Sequence, residues 1–195
     1  MIEEGVIKYR CEWTKQALPE TINLTELISY RTQLWDKGLI GVDSHGIGFG
    51  NISLRANKNQ FVISGTQTGH IRELTADHFA LVEEAQILNN LIIASGLEQP
   101  SSESMTHAAC YQGNLKCNAV VHIHSEKLWR QYLNQLPTTD ATIPYGTPEL
   151  AQLVFQIAQQ QENAVIVLGG HFEGLISFGN TMSRSVSNLI ELLSE

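Results

Sequence analysis

Apolar residues recur along this chain with two periods, and the switches between them divide it into helices and strands. From Leu24 to Leu39, the set Leu24, Leu27, Ile28, Leu34 and Trp35 falls near one helical face, and Gly38 suits the helix end. Gly41 to Gly50 carries four glycines and reads as a loop. It is not a dinucleotide fingerprint, because no strand precedes it and no helix follows. Residues 51–55 and 60–64 read as two strands of a hairpin turned by the polar residues 56–59, and 66–69 as a further turn. Residues 76–95 fit both periods: Leu81, Ala85, Leu88 and Ile92 suit a helix, while Phe79, Leu81 and residues 91–93 suit two strands. Pro100 and the serines after it open a helix running to about Gln112 and closed by Gly113, and residues 119–125 form a β-rich buried strand. Thr147 is a natural N-cap with Pro148 at the first helical position. Residues 164–168 and 175–178 read as strands around a glycine-rich turn, and Val186, Leu189, Ile190 and Leu193 as a C-terminal helix. The pattern is that of a mixed α/β domain over residues 24–195, preceded by an N-terminal arm, 1–23, of uncertain structure.

Composition narrows the function classes. The 195 residues, 43% hydrophobic and 16% charged, suit one soluble domain with one sizeable core. Twelve Lys+Arg against twenty Asp+Glu give a formal charge of −8 with no basic cluster, which argues against a nucleic-acid or polybasic membrane-surface partner. An anionic substrate would then need a metal or backbone N–H groups to supply local positive potential. Cys11, Cys110 and Cys117 include no C-x-x-C pair, the usage of a reduced compartment. The first residues lack the basic and apolar regions of a signal peptide, and no apolar run approaches the roughly 18 residues of a membrane span. The expectation is a cytoplasmic protein.

The sharpest candidate chemistry is His122-Ile-His124. Alternate residues of a strand share a face, so two imidazoles roughly 7 Å apart at Cβ can converge on one metal ion. An exposed polar strand face would give the same spelling. His171, between Gly169-Gly170 and Gly174, sits where a strand ends and could supply a third ligand, although a turn histidine is the simpler reading of it alone. Three histidines with an open position are a catalytic rather than a structural zinc arrangement. Glu103, in the first turn of the helix opened at Pro100, beside the serines that cap it, is either compensation for the helix dipole or a general acid/base. Free N–H groups at that helix start could hold a phosphate. His107, one turn on, reads as a packing histidine, His45 and His70 as loop histidines, His78 as surface, and Cys110 and Cys117 as buried small residues.

Taken in order, Gly50-Asn51, Thr68-Gly69, Pro100-Ser-Ser-Glu103 with His107 and Tyr111, Val121-His-Ile-His-Ser125, Tyr145-Gly-Thr-Pro-Glu-Leu-Ala151, and a late His171 with Gly174 and Gly179 resemble the class II aldolase/adducin family. The resemblance covers roughly residues 24–180. It implies an α/β fold with a mostly antiparallel central sheet between helical layers, which favours strands for 79–95. It also implies Zn2+ or another divalent metal on His122, His124 and His171, with Glu103 as the catalytic acid/base. Asn51, Thr68, Gly69, Ser101 and Ser102 would hold the phosphate of a phosphorylated sugar, and the protein would be a homo-oligomer, typically a tetramer. The implied activity is that of a zinc-dependent lyase, an aldolase first, with a dehydratase, an epimerase or a non-catalytic adducin-like scaffold as alternatives. Two departures stand out. The family's third histidine is directly followed by glycine, whereas here Phe172 and Glu173 intervene, so that counting from Gly174 places Glu173 at the ligand position. The tail that often carries a catalytic tyrosine is short, which leaves Tyr145 a candidate by proximity alone.

Overall fold

A computed structural model describes residues 6–194. Ten strands and five helices are assigned among them: β1 (Arg10–Lys15), α1 (Thr25–Asp36), β2 (Gly41–Val42), β3 (Gly48–Phe49), β4 (Asn51–Arg55), β5 (Phe61–Ser64), β6 (Phe79–Gln86), β7 (Leu91–Gly96), α2 (Ser104–Gly113), β8 (Ala119–His124), α3 (Glu126–Tyr132), α4 (Pro148–Gln160), β9 (Ala164–Val167), β10 (Gly174–Gly179) and α5 (Met182–Leu192). Eight of the strands form one sheet in the order β1-β7-β6-β5-β4-β8-β10-β9. Only β1 and β7 run parallel; every other neighbouring pair is antiparallel.

Both faces of this sheet are covered, so its strands are apolar on both sides. On one face Val120, Phe61, Ile63, Val82, Ile166 and Phe178 pack against Met105, Ala108 and Ala109 of α2 and Leu150, Ala151 and Val154 of α4. On the other, Val121, Ile123, Ile52, Val62 and Leu175 pack against Leu27 and Leu34 of α1, Leu128 of α3, and Met182, Val186 and Leu189 of α5. The result is a three-layer α/β/α domain. Period two then decides the site: with Val120 facing α2, His122 and His124 face the same side.

Several expectations change in the folded chain. Residues 79–86 and 91–96 are strands β6 and β7, as the resemblance favours, preceded by a short 3-10 turn at Ala76–His78 and joined by another at Ile87–Asn89. The glycine-rich loop contains a small hairpin in which Gly41 pairs with Phe49 and Val42 with Gly48. Of the segment read as an arm, residues 1–5 lie outside the described residues, while Arg10–Lys15 adds an edge strand alongside β7. Its two half-buried residues, Cys11 and Trp13, stand among four exposed polar or charged ones, which masked the strand in the sequence. Helix α3 was not expected; Ser125 caps it, accepting from the Leu128 N–H. Helix α1 does end where Gly38 adopts φ +69°, a conformation glycine takes without steric cost.

Helix α1 carries a buried cation on its apolar stripe. Arg31 is 1% exposed, flanked on the helix face by Leu27 and Leu34. Its guanidinium donates to the carbonyl oxygens of Thr68 (2.9 Å), Arg72 (2.7 Å) and Ile71. Burial pulls this group down to about 10, so it stays charged at neutral pH. Arg31→Met keeps the stem but removes the guanidinium donors from three carbonyls, one of them buried and two half-buried, and is expected to cost about 2 kcal/mol, a fall in Tm of roughly 6 °C in thermal melts.

Candidate functional site

Strand β8 delivers two imidazoles and the β9–β10 connection a third. Nitrogen atoms of His122, His124 and His171 all lie within 4.8 Å of one another. His122 Nε2 and His124 Nε2 are 3.2 Å apart, and ring centroids are 4.8–5.1 Å apart across the trio. His122 Nδ1 donates to the Leu175 carbonyl at 3.1 Å, so Nε2 is left with its lone pair towards the cluster. Burial, followed by the neighbouring imidazoles, holds His122 well below its ordinary value, keeping it neutral. Three imidazoles converging, two from one strand and one from a tight turn, are a donor set that fits a divalent metal ion.

His171 reaches the cluster through two consecutive tight turns. Its N–H donates to the Leu168 carbonyl at 3.1 Å, and its own carbonyl accepts from the Gly174 N–H at 2.9 Å. Glu173 completes the second turn at φ +67°, a left-handed conformation costly for a side chain with a Cβ. Its carbonyl accepts from the Ser125 N–H at 2.9 Å, which ties this turn to the end of β8. Glu173 Oε2 then stands 3.9 Å from His124 Nδ1, on the ring edge away from His122. The two residues inserted before Gly174 thus put a histidine in the cluster and a carboxylate behind one of its members.

Glu103 is the N-cap residue of α2 rather than a residue of its first turn. The reason is a preceding turn in which the Ser104 N–H and hydroxyl both donate to the Ser101 carbonyl, delaying the helix by a few residues. Glu103 is 1% exposed. Thr106 donates to its Oε2 at 2.8 Å, while Oε1 lies 3.9 Å from His171 Nδ1. One oxygen is anchored and the other faces the imidazoles, which suits proton transfer beside a metal site.

Beside the cluster, Asn51, Thr68, Gly69, Ser101 and Ser102 line one small polar cleft, together with Gly48 and Gly50. Its walls are built by holding carbonyls away from it. Arg31 takes the Thr68 carbonyl and Trp35 Nε1 the Gly69 carbonyl at 3.0 Å, both towards α1. Tyr9 donates to the Pro100 and Ser101 carbonyls at 3.1 and 2.8 Å. A trans peptide sets its N–H opposite its C=O, so the following amides of Gly69, His70, Ser101 and Ser102 point the other way. Gly69 is required here because a Cβ would collide with the Gly41 carbonyl and Gly48. Asn51 Oδ1 is buried and has no hydrogen-bond partner among the described residues. The sequence missed Tyr9, Arg31 and Trp35; a charged residue on the Leu27/Leu34 stripe was the available signal for Arg31.

The remaining candidates have structural partners. His107 is fully buried, its Nδ1 2.7 Å from Ser53 Oγ, which also meets Tyr111 OH at 2.8 Å. Burial lowers His107 to about 3, so it packs as a neutral ring. His45 lines a second cleft, described below, His70 is exposed with Nδ1 3.0 Å from the Gln67 carbonyl, and His78 shares a capping box with Thr75. Burial pushes the Cys117 thiol to about 12 and that of Cys110 well up, which suits packing rather than nucleophilic attack. Tyr145 is buried, with its ring 4.8 Å from that of His171.

The profile described as "Class II Aldolase and Adducin N-terminal domain" matches residues 26–194. The chain belongs to the class II aldolase/adducin family. This aldolase-family chain is 29% identical over 102 residues to a 3-oxo-tetronate 4-phosphate decarboxylase of Haemophilus influenzae, covering 52% of this chain and 43% of that protein. It is 27% identical over 117 residues to the protein of the same name in Escherichia coli K12, covering 49% and 52%. It thus spans about half the length of the curated relatives it matches. Its fold is shared with an L-fuculose 1-phosphate aldolase (TM-score 0.65, 20% identity, 91% of this chain and 84% of that one). The same holds for YgbL of Klebsiella pneumoniae (TM-score 0.65, 22% identity, 87% and 84%). A sugar-phosphate aldolase from Thermotoga maritima matches at 16% identity (TM-score 0.65, 87% and 89%).

Two substitutions test the donor set. His171→Ala is expected to abolish stoichiometric metal retention, read by mass spectrometry of dialysed protein. Glu173→Gln is expected to weaken metal affinity about 10-fold in competition with a chromophoric chelator, because the carboxylate orients His124.

Proposed function

We propose that this protein is a zinc-dependent carbon–carbon lyase acting on a phosphorylated hydroxycarbonyl compound. The observation that carries the reading is the juxtaposition of three converging imidazoles, the buried Glu103 carboxylate 3.9 Å from one of them, and a polar cleft lined by Thr68, Gly69, Ser101 and Ser102, with the carbonyls of 68, 69 and 101 bonded to Arg31, Trp35 and Tyr9. His122, His124 and His171 would hold the zinc ion. When bound, it would act as a Lewis acid on a carbonyl oxygen and so lower the cost of leaving an electron pair on the neighbouring carbon.

The chain's own residues do the rest. Amides and hydroxyls of Thr68, Gly69, Ser101 and Ser102, with Asn51, bind the phosphate and fix which carbons lie beside the imidazoles. Glu103 Oε1 accepts or returns the proton, while Thr106 keeps the carboxylate from rotating away. Burial of Glu103, His122 and His171 limits the water that reaches these three side chains.

Aldol cleavage is the first reaction this arrangement suits. Decarboxylation of a phosphorylated 3-oxo acid is the second, favoured by the names of the curated relatives. There the bond to the carboxylate carbon breaks, carbon dioxide leaves, the electron pair stays on the α-carbon, and Glu103 returns a proton to it. Both reactions need the same stabilised carbanion, so the site alone serves either. A homotetramer and a cytoplasmic location belong to the same proposal. Among the described residues no helix is long and apolar enough to cross a membrane.

The metal-loaded protein is expected to turn over at least one member of a panel of ketose phosphates and 3-oxo-tetronate 4-phosphate. Glu103→Gln should lower kcat by about 10²-fold or more while bound metal is unchanged. A metal-free oligomer, inert towards the whole panel, would instead mark a scaffold.

A further inference from the structure

A second and larger cleft, about 590 Å³, opens over the imidazoles, with His124 and His171 among its walls. It shares no lining residue with the polar cleft, and the two meet along residues 48–50: Gly48 and Gly50 line one and Phe49 the other. The charged side chains on its walls are Asp43, Glu173 and Lys8, beside His45. Lys8 is therefore the sole Lys or Arg lining it among the described residues. Lys8 also lies outside the family-matched residues 26–194.

The placement of Lys8 is built rather than incidental. Its carbonyl accepts from Asn90 Nδ2 at 3.1 Å, and the next residue, Tyr9, is pinned to the turn carrying Ser101. Its stem lies over Gly146, where a Cβ would meet Lys8 Cδ at 3.2 Å and Cβ and Cγ at 3.5 Å. Its Nζ sits 4.0 Å from the Tyr145 ring centroid and 3.4 Å from the Tyr145 carbonyl, and the Tyr145 ring rests against His171. An ammonium is thus held, half-buried, over an aromatic face on the wall of the larger cleft, beside the imidazoles.

We propose that Lys8, seated on Tyr145, forms a carboxylate subsite, so that the preferred substrate is a sugar acid phosphorylated at the opposite end. The proposal rests on the phosphate reading of the polar cleft. A neutral sugar phosphate would fill that cleft and leave this ammonium without a counterpart on the ligand. A phosphorylated acid spans both clefts and brings the carbons between its two anionic ends to the imidazoles.

Calorimetric titration of the metal-loaded protein with erythronate 4-phosphate and with erythritol 4-phosphate tests this, because the pair differs only in carboxylate against hydroxymethyl. The native protein is expected to prefer the acid about 10-fold. In Lys8→Met, which keeps the stem, the affinity ratio should fall to about 1, and Lys8→Arg should retain a preference for the acid. Equal binding of the two compounds by the native protein would overturn the subsite and leave the phosphate reading standing. So would a preference that survives in Lys8→Met. Binding of neither compound would overturn both.

Discussion

Three imidazoles can share so small a buried volume only if they are uncharged or jointly bound to a cation. Each protonated ring would repel the next at about 5 Å. For His122 the surroundings favour the neutral state. His122 is fully buried, and the Leu175 carbonyl claims the hydrogen on Nδ1, which leaves the Nε2 lone pair turned inward. The structure around the cluster follows from this demand. Strand β8 must be central, so that β4 and β10 cover its edges, and α2 must lie over it to exclude water. A metal centre in such a place gains strength from the same low dielectric that makes bare charges costly.

Much of this was legible in the residues, for identifiable physical reasons. Alternation along Ala119–His124 fixed the shared face of His122 and His124 without any knowledge of the partner strands. Thr147-Pro148 is a local capping signal, and the helix starts there, with the Thr147 hydroxyl oxygen accepting from the Leu150 N–H. What stayed hidden was set by long-range contacts. Residues 79–96 carry two periods, and pairing of β6 with β5 and β7 decides between them. The edge strand β1 is too polar to announce itself and exists because β7 offers it a parallel ladder. At the site, His171 was singled out from glycine context. The double turn that brings it within reach depends on Glu173 accepting a left-handed φ, which sequence spacing does not encode.

The acidic composition bears on how an anion can be bound here. A basic cluster is absent from the sequence, and the polar cleft is lined by no lysine or arginine. Arg31, close by, is turned away, its donors spent on the carbonyls of 68, 71 and 72. Its contribution is indirect: by fixing carbonyls it orients peptide dipoles, and oriented N–H groups attract an anion without a nearby free cation. Tyr9 does the same for residues 100 and 101. Attraction from fixed dipoles falls off quickly with distance, so on the proposed reading the cleft would discriminate by fit rather than by long-range steering.

That Tyr9 takes part has a structural consequence for how sites of this kind diverge. The residues closest to the chemistry lie within the family-matched segment, yet the turn bearing Ser101 and Ser102 is braced by a hydroxyl from outside it. Strand β1 positions that hydroxyl through its pairing with β7, and Asn90 fixes the backbone of Lys8 just before it. An edge strand is the cheapest part of a sheet to alter, because one of its sides faces solvent and no other ladder depends on it. Changes there can re-aim Tyr9 and Lys8 by fractions of an ångström while His122, His124 and Glu103 stay on interior elements. On the proposed reading, substrate preference would be tuned from the margin of the fold while the chemical step stays at its centre.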